Sequence, residues 1–125
     1  MNKAITVLVV EPGKAPYIKT IDPGLTSLQK EVGGYIQAVY PFPDPVAIVC
    51  NETAKLDGLP LNRVLRDENG VAYDIIAGTF LVVGLTEEDF GSLPPELIQQ
   101  FIQHFRKPEA FIRINGNIVV IPMEA

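Results

Sequence analysis

Two asparagines and two arginines, Asn51, Asn62, Arg63 and Arg66, share one polar stretch that runs from Asn51 to Gly70 between two strongly apolar segments. An asparagine amide both donates and accepts hydrogen bonds, and an arginine fork recognises carboxylate or phosphate in bidentate fashion. Gly58 lets a ligand approach the backbone closely. These residue types suit a small anionic or nucleotide-like ligand. The fifth candidate, Asp74, interrupts the apolar run Val71-Ala72-Tyr73-Asp74-Ile75-Ile76. It either points outward from a strand or faces a pocket beside the polar stretch. The same residues also suit a purely structural role. Asparagines cap turns, Arg63 can pair with Asp57, Asp67 or Asp74, and Asn69-Gly70 can close a hairpin.

Catalytic constellations are missing from the sequence. It contains no P-loop, no dinucleotide-binding glycine fingerprint and no nucleophile elbow. Cys50 and His104 are the only residues that could pair as thiol nucleophile and base. Cys50, however, ends the apolar run Val46-Ala47-Ile48-Val49-Cys50, while His104 falls on the polar side of a helix, so no catalytic residue is expected. One cysteine and one histidine also exclude the common Cys/His zinc sites. Neither a metal nor a cofactor is therefore expected. Glu87-Glu88-Asp89 reads as a solvated turn beside a helix start.

The elements that must position these candidates follow from hydrophobic period and turn chemistry. Ala4 to Val10 is apolar on both alternating faces, as a central strand is. Glu11 to Pro16 supplies a turn, and Tyr17 to Ile21 a second strand. Leu25, Leu28 and Val32 share one helical face, Thr26 and Gln29 have capping-box spacing, and Gly33-Gly34 stops the helix. Strands follow at Tyr35 to Tyr40 and Val46 to Cys50. The stretch from Asn51 to Gly70 reads as a docked loop anchored by Leu59, Leu61, Val64 and Leu65. Val71 to Ile76 and Thr79 to Val83 are strand-like, with Ala77-Gly78 making either a tight corner or a bulge. Ser92, Pro94 and Pro95 open the clearest helix, whose apolar stripe is Leu97, Ile98, Phe101, Ile102 and Phe105. Ala110 to Ile114 and Asn117 to Ile121 flank Asn115-Gly116, a strong hairpin signal. The order ββαβββ(β)αββ predicts an α+β fold, with a mixed or antiparallel sheet of about six to eight strands, one short helix and one longer helix.

Composition sets the outer bounds. At 125 residues, 47% hydrophobic and 20% charged, the chain is expected to form a single domain over residues 1–125. A net charge of −5 argues against direct nucleic-acid binding, which needs clustered Lys and Arg. The longest apolar run is too short to cross a membrane, no signal peptide is apparent, and a lone cysteine fits a reducing compartment. A cytoplasmic location is expected.

Several stretches resemble the domain-of-unknown-function family 3846: Val10 to Pro16, Val32 to Ile36, Asn51-Glu52, Gly58 to Arg63, Asp74 to Phe80 and the late helix. The likeness covers residues 4–105 and leaves the hairpin at 110–121 outside. It implies a setting in phages and other mobile elements and brings no activity with it. Within the pattern Gly-Leu-Pro-x-Asn-Arg, present as Gly58 to Arg63, it draws attention to Asn62 and Arg63. The reading that follows is a non-enzymatic binding module for a small anionic or nucleotide-like ligand, sequestered against host defence. The alternative is an accessory protein that binds a host protein, such as an inhibitor of a nuclease or regulator. The terminal hairpin offers an edge for pairing between copies.

Overall fold

The computed structural model describes residues 3–87 and 89–123, so Glu88 of the expected acidic turn lies outside the described residues. Strands β1 (Ile5–Val10) and β2 (Tyr17–Ile21) open the chain as an antiparallel pair and lead into α1 (Leu25–Val32). Gly33 adopts a left-handed conformation, φ 78°, and the amides of Gly33 and Gly34 both donate to the Gln29 carbonyl. This is the glycine-terminated stop predicted from the sequence. The capping box is not formed: Gly24 is the N-cap, no side chain caps the helix, and Thr26 lies within its first turn.

After α1 come β3 (Ile36–Val39), β4 (Val46–Asn51), β5 (Leu61–Arg66), β6 (Ala72–Ala77), β7 (Phe80–Leu85) and the short β8 (Phe90–Gly91). The chain ends with α2 (Pro95–Phe105), β9 (Glu109–Ile114) and β10 (Asn117–Pro122). Among the described residues the fold is α+β with ten strands, all in antiparallel pairs. Six form the main sheet in the order β2-β1-β7-β4-β3, with β8 beside β7, and β5-β6 and β9-β10 are separate two-stranded sheets.

Both faces of the main sheet are covered, which is why β1, β4 and β7 read as continuous apolar runs rather than as alternation. On one face Ile5, Val7, Val9, Ala47, Val49, Leu81 and Val83 meet Leu28 and Val32 of α1. On the other, Leu8, Val10, Ile48, Phe80 and Val82 meet Phe101 and Phe105 of α2 together with Leu65 and Ile76 of the β5-β6 pair. The predicted α2 stripe is therefore the packed face, with Leu97, Ile98 and Ile102 at its margin.

Three further local expectations change, and the open choice at Ala77-Gly78 is resolved. The polar stretch is not all loop, because it contains β5, whose Asn62, Arg63, Val64 and Leu65 are buried. Ala77-Gly78 is a corner between two sheets: β6 pairs with β5, β7 pairs with β1 and β4, and Gly78 turns with φ 75°. Ser92 does not cap α2. Pro94 is the N-cap, and the Ser92 hydroxyl accepts a hydrogen bond from the Thr6 amide at 2.9 Å. The turn from Thr86 to Asp89, closed by the Thr86 amide donating to the Asp89 carbonyl, leads into β8 and not directly into the helix.

Candidate functional site

Beyond β4 the chain folds back through a tight turn, and Asn51 organises it. Its Oδ1 accepts from the Thr53 amide at 2.9 Å and from the Thr53 hydroxyl at 3.3 Å, while its Nδ2 donates to the Val32 carbonyl at the end of α1. The neighbouring backbone passes so close that a Cβ at Gly34 would lie 2.9 Å from Asn51 Nδ2. The turn also buries Ala54 and hangs Lys55 and Leu56 toward the β5-β6 pair.

Across the gap, β6 presents Asp74, whose Oδ1 accepts from Lys55 Nζ at 2.7 Å and from the Ile75 amide at 2.8 Å. Between these segments lies a cavity of about 340 Å³. Leu65, Ile76 and Val39 give it an apolar floor, Cys50 adds a thiol, and Gln37, Glu52, Lys55 and Asp74 supply polar groups. It is more enclosed than the wider hollow between β2 and α1.

The charges in the cavity are tuned by their neighbours. Partial desolvation pushes the Asp74 carboxyl upward, but the Lys55 hydrogen bond, the Ile75 amide and the Lys55 charge outweigh it and hold the group below its ordinary range. The Cys50 thiol is pushed up, first by burial and then by the Asp74 carboxylate, and its S–H points to the Gln37 carbonyl at 3.5 Å. A thiol shifted in that direction stays protonated at neutral pH and is a poor nucleophile.

The sequence candidates separate into three places. Asn51 and Asp74 line the cavity, and Asp74 is at the same time an exposed strand residue, so both readings of it meet at the rim. Asn62 and Arg63 lie beneath the surface and are fully engaged inside the protein. Asn62 Nδ2 donates to the Val10 carbonyl at 2.9 Å and to the Gly78 carbonyl at 2.8 Å, and its Oδ1 accepts from Arg63 Nη1 at 2.9 Å. Arg63 is 2% exposed. Its Nη2 donates to the Lys14 carbonyl at 2.7 Å and the Phe105 carbonyl at 2.8 Å, its Nε also to Phe105, and its Nη1 to both oxygens of Asn62. Those bonds use all five N–H donors of the guanidinium.

None of the three carboxylates considered for Arg63 is its partner. Asp74 takes Lys55, Asp57 accepts from the Thr53 hydroxyl, and Asp67 closes its own turn on Asn69 and Val71. Burial lowers the Arg63 pKa, with Glu109 opposing that shift. The positive charge is compensated by the carbonyl end of α2, where the helix dipole favours a cation. Arg66 stands elsewhere again: it donates to the Gly70 carbonyl at 3.2 Å and lines a smaller cleft with His104, Lys107 and Glu109.

Cys50 and His104 line different hollows and do not share a site. Although exposed overall, His104 packs its ring edge-on against Phe42 and Phe105, with centroids 5.1 and 4.6 Å apart. Desolvation there lowers its pKa below 6.5, opposed by Glu109. Lys55, Glu52 and Gln37 also line the cavity beside Cys50 and Asp74 and were not among the sequence candidates. Lys55 lies 19 residues from Asp74, and nothing in local spacing announces that pair. Among the described residues, no group of three or more His, Cys, Asp or Glu side chains is placed to hold a metal ion. No helix among them is long and apolar enough to cross a membrane.

Compared with known proteins, residues 5–106 match the family model described as "Domain of unknown function (DUF3846)". No curated protein and no solved structure matches the chain.

Proposed function

The chain belongs to the DUF3846 family through its residues 5–106, and within that domain we propose a non-enzymatic module that holds a small ligand between Cys50 and Asp74. The observation that carries this reading is the cavity of about 340 Å³, where an apolar floor meets the Lys55–Asp74 ion pair at its rim. Its size lies at the lower end of small-molecule sites, which are mostly apolar with a few converging polar groups.

The wall chemistry selects the ligand class. A flat or apolar body would cover Leu65 and Ile76, a donor edge would bond Asp74, and an acceptor or anionic group would take Lys55. A nucleoside or nucleotide meets these demands. The acids Glu52 and Asp74 outnumber Lys55 in the lining, which disfavours a ligand of high negative charge. In the mobile-element setting that the family resemblance implies, such a module would sequester a nucleotide signal.

Thermal-shift and native mass spectrometry with adenosine, guanosine, AMP, GMP and cyclic AMP test the reading. A true ligand at a hundredfold its Kd stabilises the fold by roughly 2.7 kcal/mol. Lys55→Ala and Asp74→Asn should each weaken it tenfold or more while leaving the fold intact, since an exposed ion pair is worth about 0–1 kcal/mol. Absence of binding across the panel, or binding untouched by both substitutions, contradicts it.

A further inference from the structure

The hairpin β9-β10 lies outside residues 5–106, and its two faces differ at the middle of the ladder, whereas near the turn Arg113 and Ile118 are exposed like the residues of the other face. Paired residues across an antiparallel ladder share a face. Phe111 and Val120 are opposite one another and half-buried, and beside them Glu109 accepts a hydrogen bond from the Val64 amide at 2.9 Å. That face is turned toward the body of the protein.

The other face holds the pairs Ile112 with Val119, Ala110 with Ile121, and Ile114 with Asn117. Ile112 is 44% exposed, Ile114 51%, Val119 40% and Ile121 44%. No charged residue stands on this face, and the charged side chains of the hairpin, Glu109 and Arg113, alternate onto the opposite one. We propose that this face packs against the same face of a second copy, sheet on sheet, as an isologous dimer contact.

Charge and area both select a second copy. A twofold contact must be complementary to itself, and a face bearing net charge would meet like charge across the axis. The rest of the chain carries a net charge of −5 and would repel its copy, yet this face presents only aliphatic groups and one amide. With Met123, which is 40% exposed and continues the alternation, the face forms a patch of roughly 400 Å² per copy, the size of the largest apolar patch on a typical monomer, which is often functional. Two such patches and their rims bring the buried total to about 1,000 Å², where specific interfaces begin. Stacked sheets lie ~10 Å apart, a spacing that aliphatic side chains from two faces fill. A lone two-stranded hairpin is also marginal in water, so covering one more face gives it the packing it lacks. The lining of the ligand cavity includes no residue of the hairpin.

Sedimentation equilibrium of the full chain tests the proposal, with twice the 13.7 kDa chain mass expected at micromolar concentration. Val119→Lys should raise the dimer dissociation constant at least a hundredfold while keeping the parent's far-ultraviolet circular dichroism, with a melting temperature lowered only by the loss of the dimer. If that variant fails to fold, Val119→Cys with a short bismaleimide should give a cross-linked dimer, and Thr20→Cys on exposed β2 should not. A monomer up to 1 mM (~10³ times the expected range for a specific contact), a dimer that survives Val119→Lys, or a cross-link no better at 119 than at 20, overturns it.

Discussion

Replacing Arg63 with methionine keeps much of the side chain's length and removes its charge and all of its donors. The loss leaves the Lys14 carbonyl, the Phe105 carbonyl and Asn62 Oδ1 without the partner that now serves them. A buried acceptor left unpaired costs about 1–3 kcal/mol. Lys14 is near enough to solvent for water to replace part of its bond, so the sum falls near 3–5 kcal/mol. The C-terminus of α2 loses its cation as well, and β5 is no longer tied to the β1-β2 turn. For a chain of this length the change corresponds to a melting temperature lower by about 10–20 °C. Thermal and urea denaturation followed by circular dichroism read it directly, and an unchanged urea slope would show that the same structure is being unfolded. Arg63→Lys should recover little, because a point charge cannot reproduce the fork. If Arg63→Met melts within about 2 °C of the parent, the buried guanidinium does not hold β5 in place, and a ligand-binding role for it regains its place.

Other outcomes follow from the same geometry. A Cβ at Gly84 would lie 2.0 Å from the Ser92 carbonyl, so Gly84→Ala should displace the lead into α2 and cost roughly 1–3 kcal/mol in denaturant titrations. His104 has a folded pKa below its unfolded value of 6.5, so the unfolded state binds more protons as pH falls past that value. Stability should therefore drop on acidification below 6.5, and His104→Gln should flatten that part of the profile, above the range where the carboxyls titrate. Tyr17 donates to Glu11, and this bond, with burial, pushes its phenol up to about 12. Absorbance titration should find one tyrosine ionising near that pH, and Tyr17→Phe should remove it. Its contribution to stability is complete below pH 10, the ordinary tyrosine value, and is lost as pH rises toward 12.

Much of the architecture was legible because local signals and packing agree. The two-faced apolar character of β1, the Gly33-Gly34 stop, the stripe of α2 and the Asn115-Gly116 turn each depend on residues close in sequence. β5 was not legible, because its buried Asn62 and Arg63 look like loop residues until their partners are known. Those partners are Val10, Lys14, Gly78 and Phe105, up to 52 residues away, and only the folded chain brings their carbonyls together. Ser92 misled for a related reason: it has the chemistry of a cap, but the Thr6 amide 86 residues away claims its hydroxyl. For the site, residue type singled out Asp74 and Asn51, which the fold places in the cavity lining, while the Lys55–Asp74 pair emerged only from the turn that carries Lys55 over β6.

The central claim, a ligand cavity between Cys50 and Asp74, is tested most directly by amide chemical-shift mapping of the isotopically labelled protein during titration with AMP and adenosine. Saturable shifts confined to residues 50–56 and 72–77 are expected, with Lys55 and Asp74 among the largest, and they should be lost in Asp74→Asn. Saturable shifts centred on Arg66 and Lys107, or on the hairpin from Glu109 to Pro122, would contradict it, as would a spectrum that neither probe moves.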